Sequence, residues 1–152
     1  NFTLNNASGG VGIVNNATGV YSAFGTRSTA APSTTSLTVI PYTASTTYFA
    51  VNVSSSNTVT SATSVGTFMA SRVNSTNIDL YRNGANVLNV ANAATRLSQH
   101  PVYFLARNDD GSGTTFAPFK IFYGHLGAGL DDTEAAAMTA AINAYATAIG
   151  AI

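Results

Sequence analysis

Hydrophobic and polar positions alternate in short blocks over the first 127 residues, the pattern of strands separated by turns. Phe2–Leu4, Val11–Val14, Val20–Phe24, Leu37–Ile40, Tyr48–Val53 and Thr67–Val73 are predicted as strands. In Tyr48–Val53 the period is two: Phe49, Val51 and Val53 share one face, Tyr48, Ala50 and Asn52 the other. Asn5–Gly10 and Asn15–Gly19 read as turns, and Ala30–Thr35, with Pro32 inside it, as a loop. Pro41 ends the Leu37 strand or places it at a sheet edge. Ser54–Ser64 is polar and low in complexity and reads as loop. The sharpest local signal is Ile78–Val90. Asn83 and Gly84 suit a two-residue hairpin turn because both tolerate the positive φ that such a turn demands. Val102–Asn108 and Phe119–Leu126 follow as strands around an Asp109-Asp110-Gly111-Ser112-Gly113 turn.

The last segment changes period. Asp131 and Glu134 have the spacing of a capping box, and acidic residues suit the positive end of a helix dipole. Met138, Ile142, Tyr145 and Ile149 fall on one helical stripe, and Gly150 stands where a C-terminal cap glycine belongs. Many strands followed by one helix, over about residues 132–149, predict an all-β antiparallel sandwich closed by a C-terminal helix.

Composition narrows the partners. The 152 residues fit a single domain spanning 1–152. Six basic residues balance six acidic ones, which excludes a simple basic nucleic-acid binder. Only 8% of residues are charged, while Ser, Thr and Asn make up roughly a third of the chain and hydrate a surface without charge. No apolar run reaches the ~18–20 residues of a membrane helix, so no membrane insertion is expected. Cysteine is absent, which removes disulfides and thiolate chemistry. Asn1-Phe2-Thr3-Leu4 already reads as strand, so the chain is expected to be the C-terminal part of something longer.

Catalytic candidates are sparse. Glycoside cleavage needs two carboxylates facing one bond. Glu134, Asp131 and Asp132 have a use in the helix cap, Asp109 and Asp110 are adjacent in a turn, and Asp79 is alone in a hairpin arm. His100 and His125 lack a spacing that marks a nucleophile and an orienting acid. Asp109 and Asp110 offer oxygen ligands for calcium, or simply turn geometry; the spacing is not that of an EF-hand loop. Tyr21, Tyr42, Tyr81 and Tyr123 stack on sugar rings if exposed and pack in the core if not. Arg72, Arg107, Tyr103, Tyr123 and His125 are the one Tyr/His/Arg group to assemble on a sheet face. Nothing implies a cofactor. Five Asn-x-Ser/Thr sequons, at Asn1, Asn6, Asn16, Asn52 and Asn74, arise by chance in so Asn-, Ser- and Thr-rich a chain.

Several segments together carry a resemblance: Gly66-Thr67-Phe68-Met69-Ala70-Ser71-Arg72, Leu80-Tyr81-Arg82-Asn83-Gly84, Phe104-Leu105-Ala106-Arg107-Asn108 and Ile121–Leu130. With the Gly-x-x-Leu-Asp-Asp-x-Glu start of the helix, Phe2–Ser8 more weakly joins them. The chain resembles concanavalin A-like, laminin-G-like jelly-roll domains, and more narrowly a group found in tailed-phage particle proteins. The resemblance implies a jelly roll on the surface of a virion, or otherwise an extracellular module, with no catalytic residues. It implies a non-enzymatic tail-fibre or particle-surface domain that attaches to host-surface glycan. Its expected partners are other virion proteins and copies of itself, a trimer being common in such fibres. A capsid-decorating protein and a glycan-degrading enzyme on the same fold are the alternatives. Gly84 for the turn, Leu80 for the core and Glu134 for the cap match as structural residues.

Overall fold

Strand follows strand until the final helix. The computed structural model describes residues 2–29, 35–43 and 45–152. In chain order the elements are β1 (Ala7–Ile13), β2 (Phe24–Ser28), β3 (Thr35–Thr43), β4 (Thr46–Val53), β5 (Asn57–Thr60), β6 (Gly66–Arg72), β7 (Asn77–Arg82), β8 (Ala85–Ala91), β9 (Tyr103–Phe104), β10 (Arg107–Asp109), β11 (Ser112–Thr114), β12 (Ile121–Gly127) and α1 (Asp132–Ala148). They build an all-β molecule of two sheets with one C-terminal helix. The five-stranded sheet has the order β12-β1-β6-β7-β8. The seven-stranded sheet runs β11-β10-β2-β3-β4-β5, with β9 paired to β2. The chain changes sheet between β1 and β2, β5 and β6, β8 and β9, and β11 and β12. The first and last described strands lie side by side. Pairing is antiparallel except between β10 and β2, where the strands run parallel. This departs from the expectation of a purely antiparallel sandwich.

Alternation along the strands sorts the side chains. Val11, Ile13, Phe68, Ala70, Ile78 and Leu80 from the first sheet meet Phe24, Leu37, Val39, Phe49, Val51 and Val53 from the second in one buried core. Each large member stabilises the fold by roughly 1.5–3 kcal/mol relative to its exposed form. Arg72 is buried with them. Its Nε donates to the Val51 carbonyl at 3.1 Å, Nη1 to Asn74 and Nη2 to Asn92 at 2.6 Å. Arg72 is thus a tie between the sheets, which corrects its place in the Tyr/His/Arg group.

The hairpin forms as predicted. Asn83 and Gly84 both have positive φ, at 51° and 82°. The helix start is the predicted capping box: Asp131 accepts from the Glu134 N–H at 2.9 Å, and Glu134 accepts from the Asp131 N–H at 3.0 Å. Gly150 follows the helix at φ 71°, as a cap glycine should.

Other expectations need correction. Ala7–Gly10 is strand, not turn, because β1 sits between β12 and β6 under large rings. A Cβ at Gly9 would stand 2.7 Å from the Phe24 ring, and one at Gly10 would stand 2.6 Å from His125. Phe2–Leu4 makes only an isolated bridge from Thr3 to Asn6. The strand read at Val20–Phe24 begins at Phe24 instead. Part of the polar 54–64 stretch forms β5 at the sheet edge. The predicted strand 102–108 breaks into β9 and β10 at Leu105, whose φ is 60°. Pro41 lies inside β3, where the pairing with β4 loses register between Ile40 and Thr43. Most of the predicted 30–35 loop, Pro32 included, lies outside the described residues, as do the side chain of Tyr42 and residue 1.

The helix also presents a different face. Ala135, Thr139 and Ala146 are its buried residues, while Tyr145 and Ile149 stand 65% and 58% exposed. Met69 and Tyr81 fill the sheet surface beneath it, so Ala135 makes the closest contact there; of the predicted stripe, Met138 packs against this cluster and Ile142 is half-buried, while Tyr145 and Ile149 turn outward.

Candidate functional site

Strand alternation creates the site. In β7, Ile78 and Leu80 point into the core, so Asp79 and Tyr81 point to the outer face beside the start of α1. An ideal two-residue hairpin would set Leu88 opposite Asp79. The register instead slips by one between Leu80 and Tyr81, leaving Val87 without a partner. This bulge places Asn89 opposite Asp79 while Asn86 stays opposite Tyr81. The helix N-terminus supplies Asp131, Asp132 and Thr133, and the β6–β7 connection supplies Val73 and Asn74. Together they enclose an open cavity of about 570 Å³.

The cavity side chains hold one another. Asn86 Nδ2 donates to Asp79 Oδ1 and to Asp132 Oδ1, each at 2.9 Å. Asn89 Nδ2 donates to Asp79 Oδ1 at 2.6 Å, and its own Oδ1 accepts from Asn77 Nδ2 at 2.8 Å. The Tyr81 hydroxyl donates to Asp132 Oδ1 at 2.9 Å. The bonds from Asn86 and Tyr81 hold the Asp132 carboxyl below the usual carboxylate range. Burial pushes the Tyr81 phenol up, and its bond to Asp132 and the neighbouring aspartate charges push it further. Asp79 is 8% exposed, and no hydrogen bond among the described residues takes up its Oδ2. Among the described residues, no Lys, Arg or His lines the cavity.

This arrangement presents hydrogen-bond acceptors to the cavity. A general acid needs a carboxyl whose pKa is raised, and Asp132 is held in the opposite direction. Tyr81 is 1% exposed, so its ring is a wall of the site and not a platform for stacking.

The remaining candidates lie elsewhere. Tyr123 and His125 share the outer face of β12, stacked with centroids 5.4 Å apart. The Tyr123 hydroxyl bonds His125 Nδ1, His125 Nε2 meets Ser8 Oγ at 3.1 Å, and Ser8 Oγ donates to the Ala128 carbonyl at 2.6 Å. The Ser–His contact has the outline of a nucleophile and its base, but Ser8 is fully buried and spends its proton on a carbonyl. Burial pushes His125 down to about 4, so it is neutral at pH 7, and burial pushes Tyr123 up. This chain ties β12 to β1 and to the segment leading into α1.

Tyr103 and Arg107 belong to the other sheet. Arg107 grips Asp109 with Nε at 2.6 Å and Nη2 at 2.9 Å, while Arg27 reaches the same carboxylate at 3.0 Å and Thr114 at 2.8 Å. Burial alone would raise the Asp109 pKa, but the bonds from Arg107 and Thr114 and the two guanidinium charges hold it below the usual range. Asp110 accepts from the Thr29 N–H at 2.9 Å and from its hydroxyl, with His100 3.5 Å away. The adjacent carboxylates, the calcium candidates of the sequence, therefore face different partners. Among the described residues no three His, Asp or Glu side chains gather to hold a metal ion. Tyr81, Tyr103, Arg107, Tyr123 and His125 do not form one group.

Asp79, Asn86, Asn89 and Asp132 were not predicted together. The Asn83-Gly84 turn sets Asn86 opposite Tyr81, so that half was accessible to register counting; the bulge that brings Asn89 to Asp79 carries no sequence mark. A smaller cavity of about 300 Å³, lined by Ile13, Val65, Phe122 and Ile152 among others, is apolar. No helix is long and apolar enough to cross a membrane, among the described residues. Comparison with family profiles, with curated proteins and with solved structures finds no match.

Proposed function

We propose that the chain is a non-catalytic attachment module whose cavity beside β7, β8 and α1 takes a host-surface glycan. One observation carries the reading: Asp79, Asn86, Asn89, Asp132 and Tyr81 are fixed by mutual hydrogen bonds around an open polar cavity of glycan-binding size. Sugars present rings of hydroxyl donors, and fixed carboxylate and amide oxygens are the matching acceptors. Such side chains bind without paying the ordering entropy of a loose site.

The fold reading goes one step finer than two sheets. We take the architecture as a concanavalin A-like jelly roll. Four sheet changes along the chain, the adjacency of β1 and β12, and the sequence resemblance support it. On the same resemblance, the module sits on a tailed-phage particle, in a tail fibre or on its surface, beside other virion proteins and copies of itself. The exposed Tyr145 and Ile149 on α1 fit self-association, since like charges are absent from that half of the helix.

A glycan array followed by NMR titration of the hits tests the proposal. The expected result is saturable binding without cleavage, with shifts at the side-chain amides of Asn86 and Asn89. Binding that shifts only other surfaces, or release of shortened sugar, rejects it.

A further inference from the structure

The unmatched charge of the cavity specifies more than a sugar. Among the described residues three carboxylates, Asp79, Asp131 and Asp132, line it, and no cationic side chain does. Asp79 is the informative one. It is more than nine-tenths buried, its Oδ1 is saturated by two amide donors, and its Oδ2 has no hydrogen-bond partner among the described residues. That oxygen is not fully enclosed, and Asp79 lines the cavity, so Oδ2 faces it. A carboxylate oxygen that faces an open cavity while its partner oxygen is held fixed is an oriented acceptor, and a charged donor is its strongest match.

We infer that the cavity selects an amino sugar with a free ammonium group over neutral and acidic sugars. The inference rests on the glycan-attachment reading above and adds the substrate class. The ammonium sits against Asp79 Oδ2, within the field of Asp131 and Asp132. Ring hydroxyls meet the free carbonyl oxygen of Asn86 and the amide of Asn74, which lines the same cavity. A uronic or sialic acid brings a carboxylate into a site that already holds three, and like charges at close range repel. A lysine side chain offers the same ammonium. The cavity is far wider than an alkyl chain requires, and its amides would then stay unused, so the sugar is the better fit.

Isothermal titration near neutral pH with four methyl glycosides separates these possibilities: glucosaminide, glucoside, N-acetylglucosaminide and glucuronide. A blocked lysine derivative serves as the fifth probe. The glucosaminide is expected to bind about tenfold or more tightly than the glucoside, the scale of one charge-assisted hydrogen bond. The glucuronide should bind weakest. The preference should shrink as salt screens the charges and vanish once the sugar's amine is deprotonated. In Asp79→Asn the ratio of glucosaminide to glucoside affinity should fall toward one. If that variant fails to fold, the salt and pH dependence of the wild-type ratio decide. Equal affinity for glucoside and glucosaminide, with shifts at the cavity amides, overturns the inference and leaves glycan attachment standing. Equal affinity for the lysine derivative also overturns it. If no sugar moves the Asn86 or Asn89 amides, the attachment reading falls with it.

Discussion

Asp109-Asp110 and Asp131-Asp132 are the same dipeptide in two settings, and their surroundings differ in kind. At the β10–β11 corner Asp109 is held by Arg107, Arg27 and Thr114, and Asp110 by Thr29 with His100 beside it. Two guanidinium groups answer the Asp109 charge, and the result is a staple between β2, β10 and β11. At the start of α1, Asp132 and its neighbour Asp79 receive only neutral donors, from Asn86, Asn89 and Tyr81. Those bonds fix the carboxylates without neutralising them. A cluster whose charges cancel internally contributes stability; one whose charges are only held in place keeps its electrostatic field for a ligand.

Acid should separate the two regions most strongly. His125 is half-buried between Tyr123 and Ser8, with its folded pKa near 4 against about 6.5 when unfolded. The unfolded chain then binds the extra proton, so stability is full above pH 6.5 and falls by roughly 3 kcal/mol as pH drops to 4. Asp109 is depressed as well, so its contribution persists to lower pH and is lost only as pH falls below the ordinary carboxylate range. Hydrogen exchange should therefore show β12 and α1 loosening near pH 5 while the β10–β11 corner stays protected. Simultaneous loosening would contradict the separation.

Asp109→Ala comes next in size. It leaves two guanidinium groups facing each other and should cost about 2 kcal/mol, below the range for fully buried pairs because Arg27 is partly exposed. Asp79→Asn should cost well under half of that in thermal denaturation, since the amide oxygen still accepts from Asn86 and Asn89. Equal losses would erase the distinction between staple and site.

Tyr81→Phe removes the hydroxyl that holds Asp132 and should lower stability by about 1 kcal/mol, measured by urea denaturation. The smallest effect is a null one. Calcium against chelator should leave the melting temperature unchanged, because Asp109 and Asp110 are already engaged; a rise would restore the cation site.

Much of the frame was legible where local chemistry dictates it. Asn83-Gly84 fixed the hairpin, and Asp131 with Glu134 fixed the helix start. The first half of β1, Ala7–Gly10, was illegible because Gly9 and Gly10 are demanded by Phe24 and His125, residues distant in sequence, whereas Val11–Ile13 was read as strand. The helix face is rotated from the one expected because Met138, Ile142, Tyr145 and Ile149 are hydrophobic enough to form a core stripe, yet only Met138 and Ile142 are partly buried. The sheet beneath fully buries Ala135, Thr139 and Ala146 and takes Met138 at their edge, which leaves Tyr145 and Ile149 outside. The site was half legible. Register counting reaches Tyr81 and Asn86, but the unpaired Val87 that recruits Asn89 is a tertiary event.

The most direct measurement is a two-dimensional NMR titration of the side-chain amides with a panel of neutral and amino monosaccharides. The account predicts saturable shifts at Asn86 and Asn89, with those of Asn108, beside the stapled pair, unmoved. Shifts at Asn108 with none at Asn86 and Asn89 would contradict it.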